Sequence, residues 1–188
     1  MNATRTANVL PAEEAGDGDR DAFIRHAQNR VIERIREDVE AARSTIVAVG
    51  EIGEGLACHV RQGKYTATLD FGPGMGGNSE GPSPGFHARA AVCGCVAMGV
   101  KMLAAREGLA FRKVTVTVET DFDDAALFGL SPSTAAPTET RVAIAIESDE
   151  EEARIRALVD RALEMDPWYL ALRDAQRVRP ALSVSPGP

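Results

Sequence analysis

Hydrophobic positions along the chain change their period several times, and each change marks an element. Between residues 20 and 43, Ile24, Ala27, Val31, Ile35 and Val39 recur at helical spacing, opposite a charged face. That pattern predicts an amphipathic helix, capped by Asp19 or Asp21 and packed on the domain or on a partner subunit. Both charge signs share its polar face, which argues against a helix lying on a membrane surface. TIVAVG and LACHV (45–50 and 56–60) are short apolar runs separated by the turn-like EIGEG. KYTATLDF (64–71) alternates apolar and polar residues, with Gln62-Gly63 as the turn before it. Three strands are predicted here. FGPGMGGNSEGPSPG (71–85) is too rich in Gly and Pro for either period and reads as a placed loop.

The next segment, 84–107, reads as a helix with Ser83 as N-cap, Pro84 in the first turn and Glu107-Gly108 as its stop. Its middle, AAVCGCVAMGV, is apolar on every side and rich in small residues, the pattern of a buried helix. KVTVTVE and RVAIAIE are alternating strands, joined by the polar, Pro-containing DFDDAALFGLSPSTAAPTE. Residues 150–165 form an amphipathic helix with Ile155, Leu158, Val159, Ala162 and Leu163 inward. Its acidic start suits the helix dipole, and Pro167 ends it. VRPALSV is expected as a last edge strand, since Pro180 would not suit a central one. The order is α+β, antiparallel sheets around a buried central helix. One subunit has too few elements to wrap that helix, so an intertwined homodimer is expected. The organisation is a mobile tail (1–19), the N-terminal amphipathic helix (20–43) and a single domain (44–188).

Bulk properties narrow the function. The 188 residues are 44% hydrophobic and 26% charged with a formal net charge of −7. Without a basic run, nucleic acid is not an expected partner. There is no stretch of about 18 uninterrupted apolar residues, so a membrane span is not expected. The N-terminus has no apolar signal core. Three cysteines, Cys58, Cys93 and Cys95, are an odd number and fit no disulfide framework. Free thiols in a cytoplasmic protein are the expectation. Nothing implies a cofactor. A metal set of Cys58, His59, His87 and Cys95 is conceivable, but no spacing demands it.

The candidate chemistry centres on Cys95. Read blandly, it is a small buried hydrophobe, as free cysteines often are. A thiol among Val92, Val96 and Met98 ionises poorly unless a cation is near. Arg89 and Lys101 each lie six residues away, off its side of the helix. Arg43, Arg61 and Arg173 are cations on other segments. Cys93 faces elsewhere and reads as packing. His87 is about two turns before Cys95, on the same side, where it could line a pocket mouth. Asp166 reads either as a replacement acid or as a helix-ending residue before Pro167. Trp168 and Tyr169 either wall a pocket or pack the interface.

The segment LDFGPGMGGNSEGPSPGFHARAAVCGCVAMGV resembles the central block of the OsmC-like family, the OsmC/Ohr organic hydroperoxide resistance superfamily. Gly76-Gly77 ends the loop, Gly81-Pro82-Ser83-Pro84 makes the turn, and Cys95 falls at the family's cysteine position. The later order, a strand pair, an acidic helix and then a proline, is similar too, over about residues 45–184. The resemblance implies a homodimer with two interfacial sites and thiol-dependent reduction of organic hydroperoxides. In that chemistry a thiolate becomes a sulfenic acid, a second cysteine condenses with it, and an external thiol restores both. An arginine and a glutamate assist. Two positions depart from the pattern. Asp166 stands where the second cysteine would be, and Gly85 where the glutamate would be. Three functions follow as expectations: a thiol peroxidase acting through Cys95 in oxidative-stress defence without the usual resolving cysteine, a non-catalytic protein binding an apolar small molecule at the interface, and a structural stress protein.

Overall fold

The structure, a computed structural model, describes residues 17–185. Helix α1 (Asp17–Glu37) comes first, followed by a 3-10 turn at Glu40–Ala42. Residues 1–16 of the expected tail lie outside the described residues, and 17–19 already belong to α1. The helix stops at Glu37 rather than at 43, so Val39, 63% exposed, lies beyond it. Only the first half of the predicted stripe docks. Ile24 and Ala27 are half-buried, whereas Val31 and Ile35 are exposed.

Strands β1 (Val49–Ile52), β2 (Cys58–Gln62) and β3 (Tyr65–Leu69) form an antiparallel sheet in that order. β1 starts later than TIVAVG suggested and takes in Glu51 and Ile52, which pair with His59 and Cys58. No residue of this sheet is buried. Strands usually cover at least one face with another layer, and this sheet packs chiefly on itself.

Beyond it the chain makes a tight loop around Asp70, which is 3% exposed. Its Oδ1 accepts the Phe71 N–H, and its Oδ2 accepts those of Asn78 and Glu80 at 3.0 and 3.1 Å. These amides, Glu80 foremost, outweigh burial and hold the carboxyl below the ordinary carboxylate range. The loop closes so tightly that a Cβ on Gly77 would run into the Phe71 carbonyl, and one on Gly81 into that of Thr68. The loop thereby sets the entry of the central helix.

That helix, α2 (Pro84–Glu107), has the boundaries read from the sequence. Ser83 caps it by accepting the Phe86 N–H, and Gly108 closes it in the left-handed region at φ 73°. β4 (Phe111–Asp121) and β5 (Glu139–Ser148) pair antiparallel, placing Val114, Val116 and Val118 opposite Ile146, Ile144 and Val142. The connection between them holds one short helix, α3 (Asp124–Leu127), capped by Asp123. α4 (Glu152–Leu163) and α5 (Pro167–Arg173) complete the order. The core gathers Val92, Val96, Val100, Leu103 and Ala104 of α2 with Leu109, Phe111, Leu158 and Ala162.

Two expectations are corrected. Pro167 does not simply end a helix. It opens α5, because its missing N–H costs nothing in a first turn. VRPALSV forms no strand, since Pro180 cannot donate to a ladder and the segment reaches no sheet edge. Within one subunit, helix α2 packs against α1, β4, α4 and α5 and leaves Phe86, Met98 and Met102 exposed. By length and composition α2 is also apolar enough to cross a bilayer, although one face of it forms the core of the fold.

Candidate active site

Cys95 sits in the middle of α2, half-buried. Facing it is Asp166, 3% exposed, at the junction of α4 and α5. The fold brings them together because α5 turns back at Pro167 and packs on α2. Asp166 is anchored by its role as the cap of α5: Oδ1 accepts the backbone N–H groups of Trp168 and Tyr169 at 3.1 and 2.8 Å. Its Oδ2 is turned to α2, 3.5 Å from where a Cβ on Gly99 would stand, one turn beyond Cys95. Oδ2 is buried and completes no hydrogen bond among the described residues. The Cys95 thiol lies against this carboxylate without the geometry of a finished bond.

The electrostatics favour a protonated thiol. Burial pushes the Cys95 pKa up, the Asp166 carboxylate pushes it further, and only the Trp168 backbone N–H pulls it down. Among the described residues no cation figures in these influences. Lys101 is bound to Asp21 of α1 at 2.9 Å and to the Phe111 carbonyl. Arg173 pairs with Glu164 and Asp174 and stands over the Tyr169 ring, and Arg43 pairs with Glu40. Arg89 folds back over Gly85, its guanidinium 3.4 Å from where a Cβ there would stand. It helps to line an apolar cavity of about 80 Å³ with Val92, Val118, Phe122 and Leu172.

Of the residues singled out in the sequence, the structure joins Cys95, Asp166 and the backbone of Trp168. The Trp168 side chain is 56% exposed, and Tyr169 packs against the core. Cys93 is half-buried two residues from Cys95. His87 stands edge-on to the Phe86 ring, with Nε2 buried and unpartnered. Cys58 belongs to the separate sheet, against Gly50. Among the described residues no three His, Cys, Asp or Glu side chains gather as a metal site. Sequence reasoning missed the capping role of Asp166. The signal was present as Asp166-Pro167, a cap followed by a first-turn proline.

The profile of the family described as OsmC-like protein matches residues 76–180, more than half of the chain. The chain belongs to the OsmC-like family. The match starts at Gly76, later than the resemblance drawn from the sequence, and leaves α1 and β1–β3 outside it. No curated protein gives a significant match. Solved structures share the fold at low identity. An OsmC-like protein from Mycoplasma pneumoniae aligns with a TM-score of 0.59 at 15% identity, over 69% of this chain and 88% of the other. An organic hydroperoxide resistance protein from Elizabethkingia anophelis, with thiocyanate bound, aligns at 0.54 and 18% identity over 70% and 90%. A protein from Vibrio cholerae, described as a putative organic hydroperoxide resistance protein with captopril in one of its active sites, aligns at 0.51 and 18% over 71% and 88%. In this OsmC-like chain a thiol, Cys95, faces a buried carboxylate, Asp166.

Proposed function

We propose that this OsmC-like protein is a homodimeric, thiol-dependent reductase of organic hydroperoxides that works through Cys95 alone, in defence against oxidative stress. The observation that carries the reading is the meeting of Cys95 with residue 166 across α2 and α5. The resemblance puts the resolving thiol at position 166, and the contact of Asp166 with Cys95 supports reading the two as one site. Two structures of the same fold named as organic hydroperoxide resistance proteins support the substrate class. The homodimer is supported by the sheet β1–β3, which buries no residue, and by the uncovered side of α2.

In this chemistry the Cys95 thiolate attacks the outer peroxide oxygen. The O–O bond breaks, an S–O bond forms, and the alkoxide leaves as alcohol after taking up the proton the thiol gave up. The Trp168 N–H steadies the thiolate meanwhile. A small external thiol then condenses with the sulfenic acid and releases water. A second such thiol exchanges with that mixed disulfide and frees Cys95. A reducing compartment such as the cytoplasm supplies those thiols.

One observation favours a second reading, a non-catalytic protein that binds an apolar small molecule: the thiol pKa is raised, and among the described residues no cation acts to lower it. The cavity of about 80 Å³ beside Val92 is lined largely by apolar side chains. One experiment separates the two. Treatment with an organic hydroperoxide, followed by peptide mass spectrometry, is expected to give sulfenic or over-oxidised Cys95, with no such product in Cys95→Ser. A fast disulfide from Cys95 to Cys58 or Cys93 would assign resolution to another thiol. An unreacted Cys95 beside oxidised Met98 and Met165, both exposed, would end the enzyme reading and leave the binding and structural ones.

A further inference from the structure

We propose that Asp166 is the acceptor for the oxidised sulfur: its unpartnered Oδ2 takes the hydrogen bond of a Cys95 sulfenic acid, holds that acid neutral and shields it from a second oxidation. The proposal rests on the peroxide-reducing reading for the source of the oxidant, but the chemistry of the pair can be read with any peroxide.

Three observations lead to it. Asp166 is 3% exposed, and one of its oxygens completes no hydrogen bond. A buried carboxylate oxygen without a donor is costly, so such a group calls for an explanation. The other oxygen is fixed by two backbone amides, so the carboxylate cannot turn away to find a partner. The side chain on α2 that this carboxylate acts on is the Cys95 thiol, a weak donor. Oxidation changes that. Inserting an oxygen makes the donor an S–O–H hydroxyl and extends the side chain by one atom. An O–H bonded to a carboxylate is among the stronger hydrogen bonds in proteins. The oxidised state is therefore the one in which Asp166 Oδ2 finds its donor.

The same carboxylate opposes a second negative charge beside it. The sulfenate anion is the species that attacks another peroxide, breaking a further O–O bond to give sulfinic acid and a second alcohol. Keeping the sulfenic acid protonated slows that step. A site without a resolving cysteine needs such protection, because its sulfenic acid waits for a thiol to arrive by diffusion.

The test compares wild type with Asp166→Asn and Asp166→Ser. Both variants keep an oxygen that can cap α5, and both remove the charged acceptor. Thermal unfolding checks that each is folded. Each protein is oxidised with hydrogen peroxide, and the sulfenic acid is trapped with a dione at matched total oxidation of Cys95. Trapped sulfenic and sulfinic Cys95 are then counted by mass spectrometry. Wild type is expected to hold mostly sulfenic acid, and the sulfinic share is expected to rise several-fold in both variants. An equal partition in all three proteins would overturn the proposal, as would a wild type that yields no trappable sulfenic acid. Failure of the peroxide-reductase reading looks different. Organic hydroperoxide would then oxidise Cys95 no faster than free cysteine, while the partition with hydrogen peroxide still followed residue 166.

Discussion

At Cys95 two influences on one proton run in the same direction, burial and the Asp166 carboxylate, and only the Trp168 N–H opposes them. The folded thiol pKa is raised, so the fold prefers the neutral thiol. That preference contributes fully below the ordinary thiol pKa of about 8.5 and is lost as pH rises through the higher folded value. Alkylation of Cys95 by iodoacetamide, followed on its own peptide against pH, should therefore have its midpoint above that of a free thiol. Asp166→Asn removes the neighbouring charge and should move the midpoint down. A midpoint unmoved by Asp166→Asn would mean that burial alone sets the thiol.

The loop between β3 and α2 shows how one side chain sets an element. Asp70 gathers the amides of Phe71, Asn78 and Glu80 and aims the chain at Ser83, where α2 begins. Its folded pKa is lowered by those amides. The stabilisation is therefore present above the ordinary aspartate pKa of about 3.9 and is lost as pH falls through the folded value. Amide exchange at Asn78 and Glu80 should be slow near neutral pH. Asp70→Ala, which leaves all three amides without their acceptor, should speed it by about tenfold or more. Exchange unchanged in Asp70→Ala would show that the glycine contacts hold the loop by themselves.

At the scale of the whole molecule the surface is unbalanced. Val49 and Ile52 on β1 are 43% and 58% exposed, and Met98 on α2 is 60% exposed. Apolar surface spread over a sheet and a helix that lack a covering layer is surface that favours association. Light scattering at micromolar concentration is expected to return twice the mass of the chain. A monomer mass would end the homodimer proposal, and with it the idea that a second copy closes the site.

Several features were determined locally and could be read from the sequence. Helix α2 is the clearest, because its cap Ser83, its first-turn Pro84 and its stop Gly108 act within a few residues of the ends they set. The strands β4 and β5 follow from strict alternation, which has meaning only if one face is buried. The position of Cys95 and the absence of a thiol at 166 were equally legible. The end of α1 was less so, since the charged stretch past Glu37 carries a helical pattern without anything to pack on. The meeting of Asp166 with Cys95 belongs to the tertiary structure alone. The two residues lie 71 positions apart, and they meet only because α4 and α5 fold back onto α2. No local pattern can report which oxygen of Asp166 serves the cap and which is left turned to α2. That is decided by the packing of three helices, where the charge, burial and hydrogen bonding of the site are set together.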